Sequence, residues 1–209
     1  MNRATFETEQ EKFWAGDFGS AYIERNQDEE LLASNIAFFS RALKVAERPD
    51  SIIEFGANIG MNLSALSLLY PKAKTSAVEI NSSACSILRD RCPSTEAYNN
   101  SLYEFDSSDK WDLVLSKGVL IHLSPRMLQK AYERLVKHCR KYILVCEYYS
   151  PTPVEIEYRG ERDRLFKRDY AGEILESHSE MTLLDYGFAY HRDPCFPQDD
   201  ITWFLLQMK

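Results

Sequence analysis

No uninterrupted apolar stretch in the sequence approaches the ~20 residues that a membrane-spanning helix needs, so a membrane partner is not expected. Positive charge is not in surplus either. Lys and Arg number 25 against 32 Asp and Glu, a net of −7, which disfavours nucleic acid because phosphate-backbone binding needs a concentrated basic surface. Cysteines are few and odd in number: Cys85, Cys92, Cys139, Cys146 and Cys195 have no CxxC or zinc spacing and read as free thiols of a reducing, cytoplasmic compartment. The histidines His138, His178 and His191 likewise lack metal-ligand spacing, so no metal is expected. Eight glycines and eight prolines are too few for a fibrous or low-complexity chain. The first eleven residues are polar and acidic, without the apolar core of a signal peptide. What is present is a globular balance, 44% hydrophobic and 27% charged over 209 residues, enough for one domain, 1–209, that buries about 70% of its unfolded surface.

Leu31, Leu32, Ile36, Phe39, Leu43 and Val45 recur at near-helical spacing, which predicts a helix over 28–47 that Pro49 stops. Ahead of it, Gly16 and Gly19 stand among aromatics, Trp14 and Phe18 included, and predict a docking turn. Residues 1–48 together read as an N-terminal helical cap. A strand at 51–55, a glycine turn and a helix over 61–70 follow, then a strand at 75–79 and a helix at 82–91. Strands at 97–101, 111–115 and 141–149, with a helix from an N-cap Ser124 and Pro125 to about His138, give five alternations. This is the order of a doubly wound, mostly parallel sheet. After Pro153 the texture changes. Residues 154–180, with the densest basic run and a helix over 169–180, read as an insertion over the active site. Stretches 181–190 and 201–207 read as closing strands of an antiparallel C-terminal edge, for an α/β sheet of seven strands.

The turn after the first strand, Gly56 to Gly60, carries the first chemical signal, because a backbone comes close to a ligand only where Cβ is absent. A dinucleotide fingerprint wants G-x-G-x-x-G, but position 58 is Asn and position 61 Met, which disfavours a nicotinamide-dependent oxidoreductase. Glu79, ending the second strand, has the chemistry to accept both ribose hydroxyls of an adenosine, with Ile80 against the adenine. Tyr22 and Arg25 share a helical face and are expected to close over the cofactor. His122 is the candidate general base, since a neutral imidazole suits removal of a proton from a hydroxyl or amine; Lys117 is the second catalytic candidate. Tyr148 and Tyr149 end the buried strand, and alternation allows one of them to face the crevice. Tyr158, Arg159, Arg164 and Arg168 are the candidate acidic-substrate clamp, because guanidinium groups grip carboxylates and phosphates in pairs of bonds.

Glu54 through Asn62, Glu79, Asn99, Asn100 and the stretch from Leu115 to His122 resemble the class I S-adenosylmethionine-dependent methyltransferases, over most of residues 50–150. The resemblance implies the Rossmann-like methyltransferase fold and S-adenosyl-L-methionine as cofactor. It places the methionine part at Glu54, Gly56, Ala57, Asn58, Gly60 and Asn62, the ribose on Glu79, the adenine near Asn100 or Ser101, and the approach to the methyl at Lys117 and Gly118. A narrower likeness runs through Trp14 to Asn26, Tyr158 to Gly160, Asp163 to Asp169 and Phe196 to Phe204. These segments resemble methylases associated with pseudaminic acid biosynthesis, implying a small acidic acceptor such as a nonulosonic-acid-pathway sugar or its nucleotide-linked form. A catalytically silent, methyltransferase-like binding protein is the remaining alternative.

Overall fold

The computed structural model describes residues 6–23 and 29–209. Its strands in chain order are β1 (Ser51–Phe55), β2 (Lys74–Glu79), β3 (Glu96–Asn99), β4 (Trp111–Lys117), β5 (Cys139–Glu147), β6 (Val154–Tyr158), β7 (Glu161–Lys167), β8 (Met181–Ala189) and β9 (Ile201–Met208). Its helices are α1 (Glu9–Ala15), α2 (Asp17–Tyr22), α3 (Glu29–Ala42), α4 (Met61–Leu69), α5 (Ser82–Arg91), α6 (Leu128–Lys137) and α7 (Tyr170–Ser177). Seven strands make one sheet in the order β3-β2-β1-β4-β5-β9-β8, and β6 and β7 form a separate hairpin. β1 to β5 pair in parallel, whereas β9 runs antiparallel to both β5 and β8.

The central strands are apolar on both faces because both faces are covered. In β5, Tyr142, Leu144 and Cys146 point into a core shared with Phe38 and Phe39 of α3 and Leu63 and Leu66 of α4, while Ile143 and Val145 point into a second core with Tyr132 and Leu135 of α6 and Ile174 of α7. Each strand therefore feeds two cores through its two-residue period. α3 thus belongs to the helical layer, and within 1–48 Leu31 and Asn35 of α3 reach the site described below together with α1 and α2.

Two expectations change. Ser124 does open a turn, but that turn is a 3-10 segment, Pro125–Met127, before α6 begins. It is closed by the Ser124 carbonyl, which accepts the Met127 N–H at 2.9 Å, while the hydroxyl makes no cap bond. Residues 154–180 begin as a hairpin rather than a loop, with Tyr158 and Leu165 in the wall of the cavity described below, and a helix follows. The basic run is the hairpin β6–β7, turned by Arg159 and Gly160 with φ of 56° and 84°, positive at both positions as a tight twisted hairpin turn requires. α7 is shorter than expected. Asp169 caps it by accepting the Gly172 N–H at 2.8 Å, and Tyr170, Ala171 and Ile174 bury it against the sheet rather than over the site.

Candidate active site

A cavity of about 430 Å³ lies at the carboxyl ends of β1, β2, β4 and β5, the crevice where open α/β sheets bind ligands. At its floor the chain leaves β1 through Gly56 with φ +73°; a Cβ there would stand 2.4 Å from Val119 Cγ2, so the turn and the segment after β4 touch only because position 56 is glycine. Asn58 sits at φ 47°, a left-handed conformation that asparagine tolerates better than most residues. That is why this turn dispenses with the middle glycine. Gly60, φ +83°, faces away from the cavity: a Cβ would meet Cys92 Sγ at 3.1 Å and Leu88 Cγ at 3.2 Å, so its role is the close approach of α4 and α5.

Glu79 is 7% exposed and lies in the cavity wall. Its Oε2 accepts the Asn58 N–H at 2.7 Å and its Oε1 the Asn81 N–H at 2.7 Å. Burial raises its pKa and these backbone donors pull it back. Glu54 is fully buried behind the wall, with Oε1 accepting from Asn62 Nδ2 at 2.6 Å and Oε2 finding no partner among the described residues. Burial pushes it up to about 7 against the Asn62 bond and the charge of Lys117. Ala57, Asn62, Ile80, Asn100, Ser101, Lys117 and Gly118 line the cavity, as does Tyr22, whose ring stands edge-on to Trp14 at 5.5 Å. Arg25 lies outside the described residues.

His122 lies at the end of a 3-10 turn, Leu120–His122, with its ring 4.5 Å from Trp14 and 5.2 Å from Tyr158. Nδ1 is 2.7 Å from the Arg164 carbonyl. A carbonyl only accepts, so Nδ1 carries the proton and Nε2 the lone pair. Burial pushes the imidazole down to about 4, leaving it neutral at ordinary pH. Tyr148 lines the cavity whereas Tyr149, 42% exposed, turns toward Phe204, as strand alternation requires.

The arginine clamp does not assemble. Tyr158 lines the cavity, but Arg159 is exposed with its guanidinium 5.4 Å over the Tyr158 ring, Arg164 stacks 5.0 Å over Phe13, and Arg168 donates to Glu173 Oε1 at 2.7 Å. Neighbours within the hairpin, α1 and α7 take these guanidinium groups. Three polar residues that sequence reasoning passed over hold α1 and α2 across the cavity mouth. Glu11 completes a capping box with Thr8 and also accepts the Ser101 hydroxyl. Gln10 donates to the Asp163 carbonyl at 3.1 Å. Asn81 caps α5 through Oδ1 and turns Nδ2 toward the Trp14 carbonyl at 3.2 Å and Ser20 Oγ at 3.2 Å. Gly19 permits this contact, since a Cβ there would meet the Trp14 carbonyl oxygen at 1.9 Å. The Thr8–Glu11 spacing of the capping box and the place of Asn81 just before α5 were the available sequence signals.

The mostly parallel sheet, with its glycine turn and crevice at the strands' carboxyl ends, is a Rossmann-like architecture, and solved structures narrow it to the methyltransferase fold. No family model and no curated protein matches the chain. Among solved structures it is similar to a 1,6-didemethyltoxoflavin-N1-methyltransferase of Burkholderia thailandensis with bound S-adenosylhomocysteine, at 17% identity over 100% of this chain and 93% of that one, TM-score 0.73. It is also similar to the magnesium protoporphyrin IX methyltransferase of Synechocystis PCC 6803 with bound S-adenosylmethionine, at 9% identity over 100% of both chains, TM-score 0.70. A third is the N-methyltransferase NodS of Bradyrhizobium japonicum WM9 with S-adenosylhomocysteine, at 12% identity over 92% of this chain and 99% of that one, TM-score 0.66. At these identities the likeness shows the fold. Among the described residues no helix is long and apolar enough to cross a membrane.

Proposed function

We propose that the protein transfers a methyl group from S-adenosyl-L-methionine to a small polar molecule. The observation that carries this reading is the junction of the Gly56–Gly60 turn with Glu79 in the wall of one cavity. The site fits the cofactor. Each Glu79 oxygen keeps acceptor capacity beyond its backbone bond, and a carboxylate there suits a pair of ribose hydroxyls. Glu54, behind the wall, accepts from Asn62 Nδ2 and so orients a cavity-lining side chain, and its carboxylate there favours a cationic amino group at the methionine end. Ile80, Asn100 and Ser101 would flank the adenine, and Lys117 and Gly118 the methyl.

Bound S-adenosylmethionine supplies a methyl already activated on a sulfonium sulfur, so the chain has to hold, orient and exclude water rather than supply a covalent nucleophile. α1 and α2 close the mouth of the cavity. His122, neutral with its lone pair on Nε2, orients the proton of an acceptor hydroxyl or amine; burial makes it a weak base, but the Nε2 lone pair can still accept a hydrogen bond. Trp14 Nε1, buried without a partner among the described residues, is a donor available to the acceptor.

For the acceptor, the narrower sequence resemblance supports a nonulosonic-acid-pathway sugar or its nucleotide-linked form, and the rings of Trp14, Tyr22, Tyr148 and Tyr158 support a ring compound. An anionic group on it draws no support from Arg159, Arg164 or Arg168, which are engaged elsewhere. The free thiols of the described cysteines fit a reducing, cytoplasmic setting.

Calorimetry with S-adenosylmethionine, S-adenosylhomocysteine and NAD tests the reading. Low-micromolar binding of the first two is expected; binding of NAD alone would overturn it.

A further inference from the structure

One buried charge in the cavity wall takes no part in the reading above. Glu147 ends β5 and is 3% exposed. Its Oε1 accepts the Ser116 hydroxyl at 3.0 Å and the backbone N–H groups of Val119 and Leu120 at 3.1 and 3.0 Å, and its Oε2 accepts the Ile121 N–H at 3.4 Å. Those amides begin the 3-10 turn that ends at His122, and no side chain of the turn's own entry residue caps them. The first amides of a helical turn have no partner within it. Here a carboxylate from the adjacent strand satisfies three at once.

The segment so held does much of the site's work. Gly118 N–H donates to the Cys146 carbonyl at 2.9 Å, Val119 rests against Gly56, and His122 enters the cavity between Trp14 and Tyr158. We propose that Glu147 is a positioning residue, whose carboxylate holds the Val119–Ile121 amides so that His122 enters the cavity in a fixed orientation against the Arg164 carbonyl. The proposal rests on the methyl-transfer reading for what His122 is positioned to do. Burial pushes the Glu147 carboxyl up to about 7 against the pull of its donors. An apolar side chain of equal volume would avoid that desolvation and leave three wall amides unpaired.

Glu147→Gln and Glu147→Asp in the full chain provide the test. Long-range proton–nitrogen correlation spectra at neutral pH report the His122 tautomer, and calorimetry with S-adenosylhomocysteine reports the cofactor side. The wild type should show His122 protonated on Nδ1. In Glu147→Gln that signature should give way to mixed tautomers while S-adenosylhomocysteine affinity stays within about threefold, with Glu147→Asp in between. A His122 signature unchanged in Glu147→Gln overturns the proposal. So does a parallel loss of cofactor affinity beyond about tenfold, or failure of both variants to fold, since either makes Glu147 general framework. A wild type that binds no S-adenosylhomocysteine would remove the methyl-transfer reading, and the tautomer comparison would still decide whether Glu147 positions His122.

Discussion

The backbone N–H of Asn58 donates to Glu79 Oε2 at 2.7 Å, tying the turn after β1 to the carboxylate at the end of β2. The side chain proposed to bind the ribose is therefore also the one that holds the Gly56 turn in shape. Asn81 extends the connection, since its N–H binds the other Glu79 oxygen and its amide reaches α1 and α2.

Glu79→Ala should weaken S-adenosylhomocysteine binding by at least 10- to 150-fold, the equivalent of one charge-assisted hydrogen bond of about 1.5–3 kcal/mol. Calorimetry on the folded variant measures it. Unchanged affinity would leave Glu79 as an internal strut of the turn and nothing more.

Gly56→Ala and Gly118→Ala separate strain from crowding. Both positions have positive φ, +73° and +68°, but a Cβ at Gly56 meets Val119 at 2.4 Å while one at Gly118 meets nothing within 4 Å. The Gly118 change should cost about 1–2 kcal/mol of backbone strain. At Gly56 a further 1–3 kcal/mol of overpacking is expected, with disturbed cofactor binding. Denaturant titration of the two variants decides; equal losses would mean that Val119 moves aside without cost.

Stability should depend on pH with two opposing signs. His122 falls to about 4 from 6.5 on folding, so between those values the unfolded chain binds more protons, and this contribution is lost as pH falls through that window. Glu54 rises from 4.5 to about 7, so there the folded chain binds more protons, and its contribution is present below 4.5 and lost as pH rises toward 7. While Glu147, also pushed up to about 7, keeps its own share of the second trend, Glu54→Gln should remove that of Glu54. Relative to wild type it should gain on the order of 2–3 kcal/mol between about pH 4.5 and 8. Urea unfolding at those two values gives the difference, and a constant offset would show that Glu54 does not titrate there.

Asn81→Ala should free the cavity mouth. The change removes the cap of α5, about 1 kcal/mol, and the side-chain amide next to the carbonyls of Trp14 to Gly16 and the hydroxyl of Ser20. Amide hydrogen exchange over residues 9–22 should quicken well beyond the change over β4 and β5. A uniform increase across the chain would mean that Asn81 acts only as a helix cap.

Much of this was legible in the residue order. Buried parallel strands are short apolar runs, glycine turns and proline stops mark their ends, and strand alternation limits the pair Tyr148 and Tyr149 to one cavity-facing ring; these are local rules with fixed periods. They sufficed for the seven strands, for the Gly56 turn and for Glu79 as its partner across the sheet.

The run from Arg159 to Arg168 shows where local rules stop. As a string of charges it resembles an anion clamp, but Arg159 sits in the hairpin turn, Arg164 within β7 and Arg168 beyond its end, and Tyr158, Phe13 and Glu173 take the guanidinium groups one by one. The bonds that assemble the site join residues far apart: Glu11 and Ser101, 90 positions away from each other, or His122 and the Arg164 carbonyl, 42 apart. Residue order was enough for the sheet, its two apolar faces and the place of the Gly56 turn, because burial pattern and backbone conformation are set by near neighbours. Which polar groups are spent on one another and which face the cavity emerged with the folded chain alone, because a buried hydrogen bond depends on two atoms meeting at about 3 Å, and composition and spacing carry no record of that distance.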